Sequence, residues 1–219
     1  MSSSLQDMGW EATGKVGAVA AGGAAATAAG QAMLRQGGNA ADSAVATILA
    51  LSITDFGAFA IGGEVPFIVY SAEKKEVKVL SGLGRAPLAR TAIEWYMGNG
   101  IPSDGDMKAA PVPGALDLCI TALRMYGTMA FADVVAPTIE LLSAPGPEWY
   151  PNLLGTMRRL VEAEGRAAGS RDQKLQAVAD RCYRGDIAEE LVAYYKEKGG
   201  MLEPRDLAAH VTAIEDPVT

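Results

Sequence analysis

The stretch from Gly14 to Gly63 constrains this chain more than any other, because it is dense in alanine and glycine and poor in large side chains. Small residues bring little apolar area of their own, so elements built from them are stable only where other backbones approach closely. Residues 15–21 read as a short strand, with Val16 and Val19 set among small neighbours. Residues 24–36 read as a helix, thin on most faces, that stops at Gly37, the residue type that takes the left-handed position after a helix at least cost. Such a helix is expected to pack deeply against a sheet. Asn39, with Asp42 three residues on, has the chemistry of a variant capping box, and residues 40–53 follow as a second buried helix carrying Val45, Ile48, Leu49 and Ile53.

Past Gly63 the pattern changes. Residues 65–70 and 76–80 are β-rich runs around the polar residues 71–75, which predicts an antiparallel hairpin. Leu116, Cys119, Ile120 and Leu123 recur at helical spacing, and Gly127 closes that element. Residues 131–143 repeat the pattern with Pro137 inside, predicting a kink or a restart. Pro145, Pro147 and Pro151 mark the clearest linker. A helix over 153–164, a polar break over 165–171, and a helix over 187–198 complete the chain; the last opens with Asp186 and Glu189 in capping-box spacing and closes at Gly199. No internal repeat is visible.

With 219 residues, 49% hydrophobic and 21% charged, the chain has the profile of a folded protein of one or two domains. Its 26 acidic and 19 basic residues give a net charge of −7, so a nucleic-acid backbone would meet no attractive field. Two cysteines, Cys119 and Cys182, and one histidine, His210, are too few for a disulfide scaffold or a Cys/His zinc site, and no metal or cofactor is expected. Both cysteines read as small core residues, and His210 reads as a surface or helix-end histidine beside no evident nucleophile. Residues 16–34 are uncharged but mostly alanine and glycine, too weakly apolar for a membrane span. Residues 1–10 lack the basic start and apolar run of a signal peptide, which implies a cytoplasmic protein if Met1 is the native start. Gly62-Gly63 reads either as a tight turn or as bare backbone lining a pocket.

The chain resembles the gamma-glutamyltranspeptidase family of N-terminal-nucleophile (Ntn) hydrolases. The resemblance is carried by Gly14-Lys15-Val16-Gly17-Ala18-Val19-Ala20, by Ala26-Thr27-Ala28-Ala29-Gly30, and most of all by the run from Met33 to Ala46 through Gly37-Gly38-Asn39-Ala40-Ala41-Asp42. Ile61-Gly62-Gly63, Val112-Pro113-Gly114, Tyr126-Gly127, Val134-Val135-Ala136-Pro137, Tyr183-Arg184-Gly185-Asp186-Ile187-Ala188, Gly199-Gly200 and Asp206-Leu207-Ala208 continue it in order. It implies an α+β fold, the αββα four-layer sandwich, with residues 1–219 as a single domain. This chain supplies mainly helices and two or three strands, and a second chain completes the unit. It also implies a precursor that cuts itself in two. The new N-terminal threonine is then the nucleophile and its own amine the base, so no catalytic residue is expected in this chain. The Thr-rich cleavage motif is absent, which makes the chain similar to the N-terminal part of the large subunit. The expected partners are a small subunit bearing that threonine and a small-molecule amide substrate, with room for a higher oligomer of αβ units.

Departures from the family pattern bear on substrate. Typical members carry an Arg-Glu pair at the positions of Leu83 and Gly84, and that arginine holds the α-carboxylate of a γ-glutamyl substrate. Here Arg85, two residues on, is the candidate substrate-binding residue; in an extended segment that shift keeps the face but moves the Cα by about 6 to 7 Å. The Pro-His-Ser-Ser segment of the family is replaced by Phe56-Gly57-Ala58-Phe59, and two of its glycines by Glu64 and Val65. Gly62, Gly63 and Glu64 are the candidate pocket-lining residues. Three readings stay open. The one favoured by the pocket changes is an Ntn amidase or acylase acting on an amide other than a typical γ-glutamyl peptide. The others are a true glutathione hydrolase or gamma-glutamyltransferase with Arg85 as substitute clamp, and a non-catalytic structural subunit.

Overall fold

The computed structural model describes residues 13–103 and 105–218, so the reading of residues 1–10 lies outside the described residues. Helix α1 (Ala24–Arg35) and helix α2 (Ala40–Thr54) form an antiparallel pair joined at Gly37-Gly38-Asn39. Gly37 sits at φ +88°, as its place after the helix requires. The Asn39 side chain accepts from the N–H groups of Ala41 and Asp42, and the Asp42 carboxylate accepts the Asn39 N–H at 2.9 Å. The capping box read from the sequence is therefore formed. The same carboxylate, fully buried, also takes the N–H and hydroxyl of Thr128 and the N–H of Met129, which ties the joint to the loop after α4 (Ala115–Tyr126).

Within this chain α1 packs against helices and not against the sheet. It packs on α2 and, more lightly, on α5 (Phe131–Ser143). Gly30 makes this possible: the Ser43 hydroxyl donates to its carbonyl at 2.9 Å, at a separation that leaves no room for a side chain. The strand expected over residues 15–21 is also absent. A strand needs a hydrogen-bonding neighbour, and this segment lies as exposed coil beside the end of α1 with Val16 open to solvent.

The hairpin is present as strand β1 (Val65–Ser71) and strand β2 (Glu76–Gly82), and strand β3 (Ala213–Glu215) adds to β2 to give an antiparallel sheet of order β1-β2-β3. Pairing of Phe67 with Leu80 and of Val65 with Gly82 turns these residues toward α4. Alternation puts Ile68, Tyr70 and Val77 on the opposite face, where all three are exposed.

The rest is helical. Helix α5 is continuous through Pro137, so of the kink or restart expected there the restart is absent; the proline leaves the carbonyl of the exposed Asp133 without its helical donor. The proline-rich connection joins α5 to α6 (Tyr150–Arg166), and the two helices pack on each other. Three helices are not read from the sequence: α3 (Arg90–Asn99), α7 (Arg171–Tyr183) and the short helix at Pro204–Ala208. Helix α8 (Asp186–Glu197) follows, then the short α9 (Pro204–Ala208). At α8 the N-cap is Gly185 and not Asp186, whose carboxylate is drawn to Arg181 and Arg159. The buried apolar residues form one contiguous core that runs from α1 through α4 to α8.

Candidate substrate-binding site

Three glycine-bearing segments meet at the N-terminus of α4. The first is the turn before β1, in which Gly63 accepts the N–H groups of Gly114 and Ala115, each at 3.0 Å. These are among the amides that a helix start leaves without partners, so the turn satisfies two of them. The second is the extended segment after β2, where the Arg85 carbonyl accepts the Val112 N–H at 3.0 Å. The third is Val112-Pro113-Gly114 itself, which lies between the other two. A side chain on Gly84 would meet the Val112 carbonyl, and one on Gly114 would meet the Gly82 carbonyl, both well inside contact distance. Backbones this close exclude any residue larger than glycine at the two positions.

Of the residues singled out from the sequence, Gly62, Gly63 and Glu64 therefore lie on one side of Val112-Pro113-Gly114 and Arg85 on the other. Arg85 and Glu64 are both exposed. Among the described residues the Arg85 guanidinium makes no ion pair or hydrogen bond, and neither Asp55 nor Glu64 reaches it. The two cavities beside this junction are apolar. One, of about 290 Å³, is lined by Gly62, Pro113, Leu116, Met157, Leu160 and Tyr183 among others. The other, of about 390 Å³, is bounded by Gly84, Ala86, Ile93, Tyr96, Met97 and Ile101 among others. Gly84 and Ala86 face the second cavity, and alternation along an extended segment turns Arg85 the other way.

The junction is held by residues that no local pattern picked out. Tyr183, 2% exposed at the end of α7, donates its hydroxyl to the Pro113 carbonyl at 2.7 Å and accepts the Asp117 N–H at 3.0 Å. His210 stacks on its ring at 5.6 Å between centroids and is itself 2% exposed, with no hydrogen-bond partner for either ring nitrogen. The expected surface histidine is thus a buried one; it does stand at a helix end, directly after α9. The Asp117 carboxylate holds the N–H and hydroxyl of Thr212, each at 2.7 Å, and so pins the strand that follows His210.

Burial pushes the Tyr183 phenol well above its ordinary range, with the surrounding thiols and Asp117 adding to the effect. Burial also holds the His210 imidazole below its ordinary value; Asp117 opposes that shift and the Arg85 charge reinforces it. Both shifts favour the neutral rings, which suits the buried stack that they form. Cys119 and Cys182 are buried core residues as expected, and burial raises both thiols to about 12, which rules out a thiolate nucleophile. Among the described residues no helix is long and apolar enough to cross a membrane.

An α+β chain with this arrangement of helices about a small antiparallel sheet has the fold of the Ntn-hydrolase structures. It superposes on gamma-glutamyltranspeptidase from Helicobacter pylori with a TM-score of 0.74 and 26% identity, over 95% of this chain and 68% of that one. The gamma-glutamyltranspeptidase family model matches residues 26–164, and the chain belongs to that family. It is 27% identical over 222 residues to a glutathione hydrolase-like YwrD proenzyme from Bacillus subtilis, covering 84% of this chain and 40% of that protein. It is 29% identical over 248 residues to an acylase ACY 1 proenzyme from a Pseudomonas species, covering 94% of this chain and 43% of that protein. The chain thus spans about two-fifths of the length of these curated relatives.

Proposed function

We propose that this chain is the large-subunit portion of a self-processing Ntn amide hydrolase, acting on a small amide other than a typical γ-glutamyl peptide. The observation that carries the reading is Arg85. Among the described residues it is an exposed and unpaired guanidinium on a backbone whose carbonyl accepts the Val112 N–H, with Leu83 and Gly84 where the family resemblance calls for an arginine and an acid. A guanidinium so placed offers two parallel N–H donors to a substrate carbonyl or carboxylate, and its fixed base spares part of the ordering cost. The nucleophile is a threonine at the N-terminus of a partner chain. Its hydroxyl attacks the amide carbonyl while its amine takes the proton and then passes it to the departing substrate amine, and water, deprotonated by the same amine, releases the acyl group from the resulting ester as the free acid. The exposed Ile68, Tyr70 and Val77 on the outer face of the sheet support a second chain packing there. The acylase and glutathione-hydrolase names among the relatives support amide cleavage as the reaction class.

The test is a side-by-side rate comparison on the native enzyme with a γ-glutamyl anilide and a set of simple acyl anilides. An acyl anilide is expected to be cleaved with the higher kcat/KM by roughly tenfold or more, because the γ-glutamyl α-carboxylate has lost its usual partner. Faster cleavage of the γ-glutamyl anilide would establish the alternative, a glutathione hydrolase with Arg85 as clamp. No cleavage of either would favour a structural subunit.

A further inference from the structure

Val112-Pro113-Gly114 lies at the centre of the junction, and three of its backbone groups are held from three different segments. Val112 donates to Arg85, Gly114 donates to Gly63, and Pro113, with no N–H of its own, accepts from the Tyr183 hydroxyl. The same hydroxyl accepts the Asp117 N–H in the first turn of α4, so one oxygen joins α7, α4 and this segment. Tyr183 is sealed between this contact and the His210 ring, and the Asp117–Thr212 bonds keep His210 in place. Farther along the backbone that carries Arg85, Leu88 donates to Asp206 at 2.9 Å.

We infer that Tyr183 is a positioning residue for Arg85: its hydroxyl fixes the Pro113 carbonyl, and through the Val112 N–H it fixes the backbone from which Arg85 reaches substrate. The inference rests on the reading of Arg85 as a substrate contact. Phenylalanine at position 183 would keep the ring, its stack on His210 and the packing volume. It would leave the Pro113 carbonyl and the Asp117 N–H without their buried partner, which frees the segment to shift.

The test is Tyr183→Phe in the intact processed enzyme, read by steady-state kinetics and by amide hydrogen exchange. The Michaelis constant is expected to rise roughly five- to thirtyfold with kcat changed by less than about twofold, since a misplaced arginine weakens binding without touching the reacting atoms. Exchange at Val112 and Gly114 should accelerate about tenfold or more while α2 keeps its protection. In an Arg85→Ala background the same change should add nothing to the Michaelis constant, because no guanidinium remains to be placed. Tyr150→Phe, which removes a hydroxyl at the start of α6, on a ring that packs against Trp149 away from the junction, should leave all of these readings unchanged.

A lower melting temperature with unchanged Michaelis constant and unchanged Val112 exchange would overturn the inference, as would full additivity with Arg85→Ala. If Arg85→Ala itself leaves the Michaelis constant unaltered, the substrate-contact reading fails and the kinetic part of this inference falls with it; Val112 exchange still decides the structural part. The unmodified enzyme supplies a check should Tyr183→Phe not fold. Val112 should exchange as slowly as the interior of α4, and exchange at the rate of an exposed loop would contradict the brace.

Discussion

Replacing Arg85 with alanine is expected to raise the Michaelis constant for an acidic or amide substrate by roughly ten- to a thousandfold, the loss that follows from one charge-assisted pair of about 1.5 to 4 kcal/mol. Stability should hardly change, because the guanidinium is exposed and unpaired among the described residues and holds nothing else in place. Arg85→Lys should restore little: an ammonium is a point charge and cannot reproduce the planar fork. Steady-state kinetics on the three proteins, with thermal unfolding alongside, separates this from a purely structural arginine. Such an arginine would lower the melting temperature and leave the kinetic constants of the folded fraction intact.

Asp42→Ala should be among the most destabilising single changes in the chain, by about 3 to 5 kcal/mol. The carboxylate is fully buried and accepts from the Asn39 N–H, the Thr128 N–H and hydroxyl, and the Met129 N–H. Alanine would strand these donors around a small void. Asn39→Ala is the milder neighbour. It removes the cap of α2 and a 2.6 Å bond to the Tyr126 carbonyl, a loss of about 1 to 2 kcal/mol. Denaturant unfolding checks both, and equal losses from the two changes would mean that Asp42 serves only the cap. Neither residue lies in the Arg85 junction, so the substrate preference of the folded fraction should be unchanged.

Local chemistry made part of this fold legible. Gly37, Asn39 and Asp42 announce their joint because cap, turn and left-handed glycine act within a few residues of one another. The hairpin is legible for the same reason, two β-rich runs flanking a polar turn. Helix α7 carries the same kind of signal, a capping box of Ser170 and Gln173 and a face of Leu175, Val178, Ala179 and Cys182, but the polar break read over residues 165–171 takes in its cap, and no helix is read beyond it. Helix α3 offered less, with Ala92 its one buried residue and two glycines at its end. The coil at residues 15–21 shows the opposite error, since strand propensity without a pairing edge makes no strand.

The candidate site was legible only in outline. Arg85 and the Gly62–Glu64 turn stand out by motif, but what joins them does not. The contacts of Gly63 with Gly114, of Arg85 with Val112 and of Pro113 with Tyr183 link residues far apart in sequence, and no periodicity encodes such pairings. His210 was misplaced for the same reason. Its segment is polar, and the Tyr183 ring that buries it comes from a different helix.

The central claim is that this chain binds substrate while a threonine on a partner chain does the chemistry. It is tested most directly by treating the native enzyme with an amide-mimicking electrophile, then taking intact mass and N-terminal sequence of every chain. The account predicts two chains, with one equivalent of label on a chain that begins with threonine and none on the chain that carries Arg85. A label on the Arg85 chain, or full hydrolytic activity from residues 1–219 alone, would contradict it.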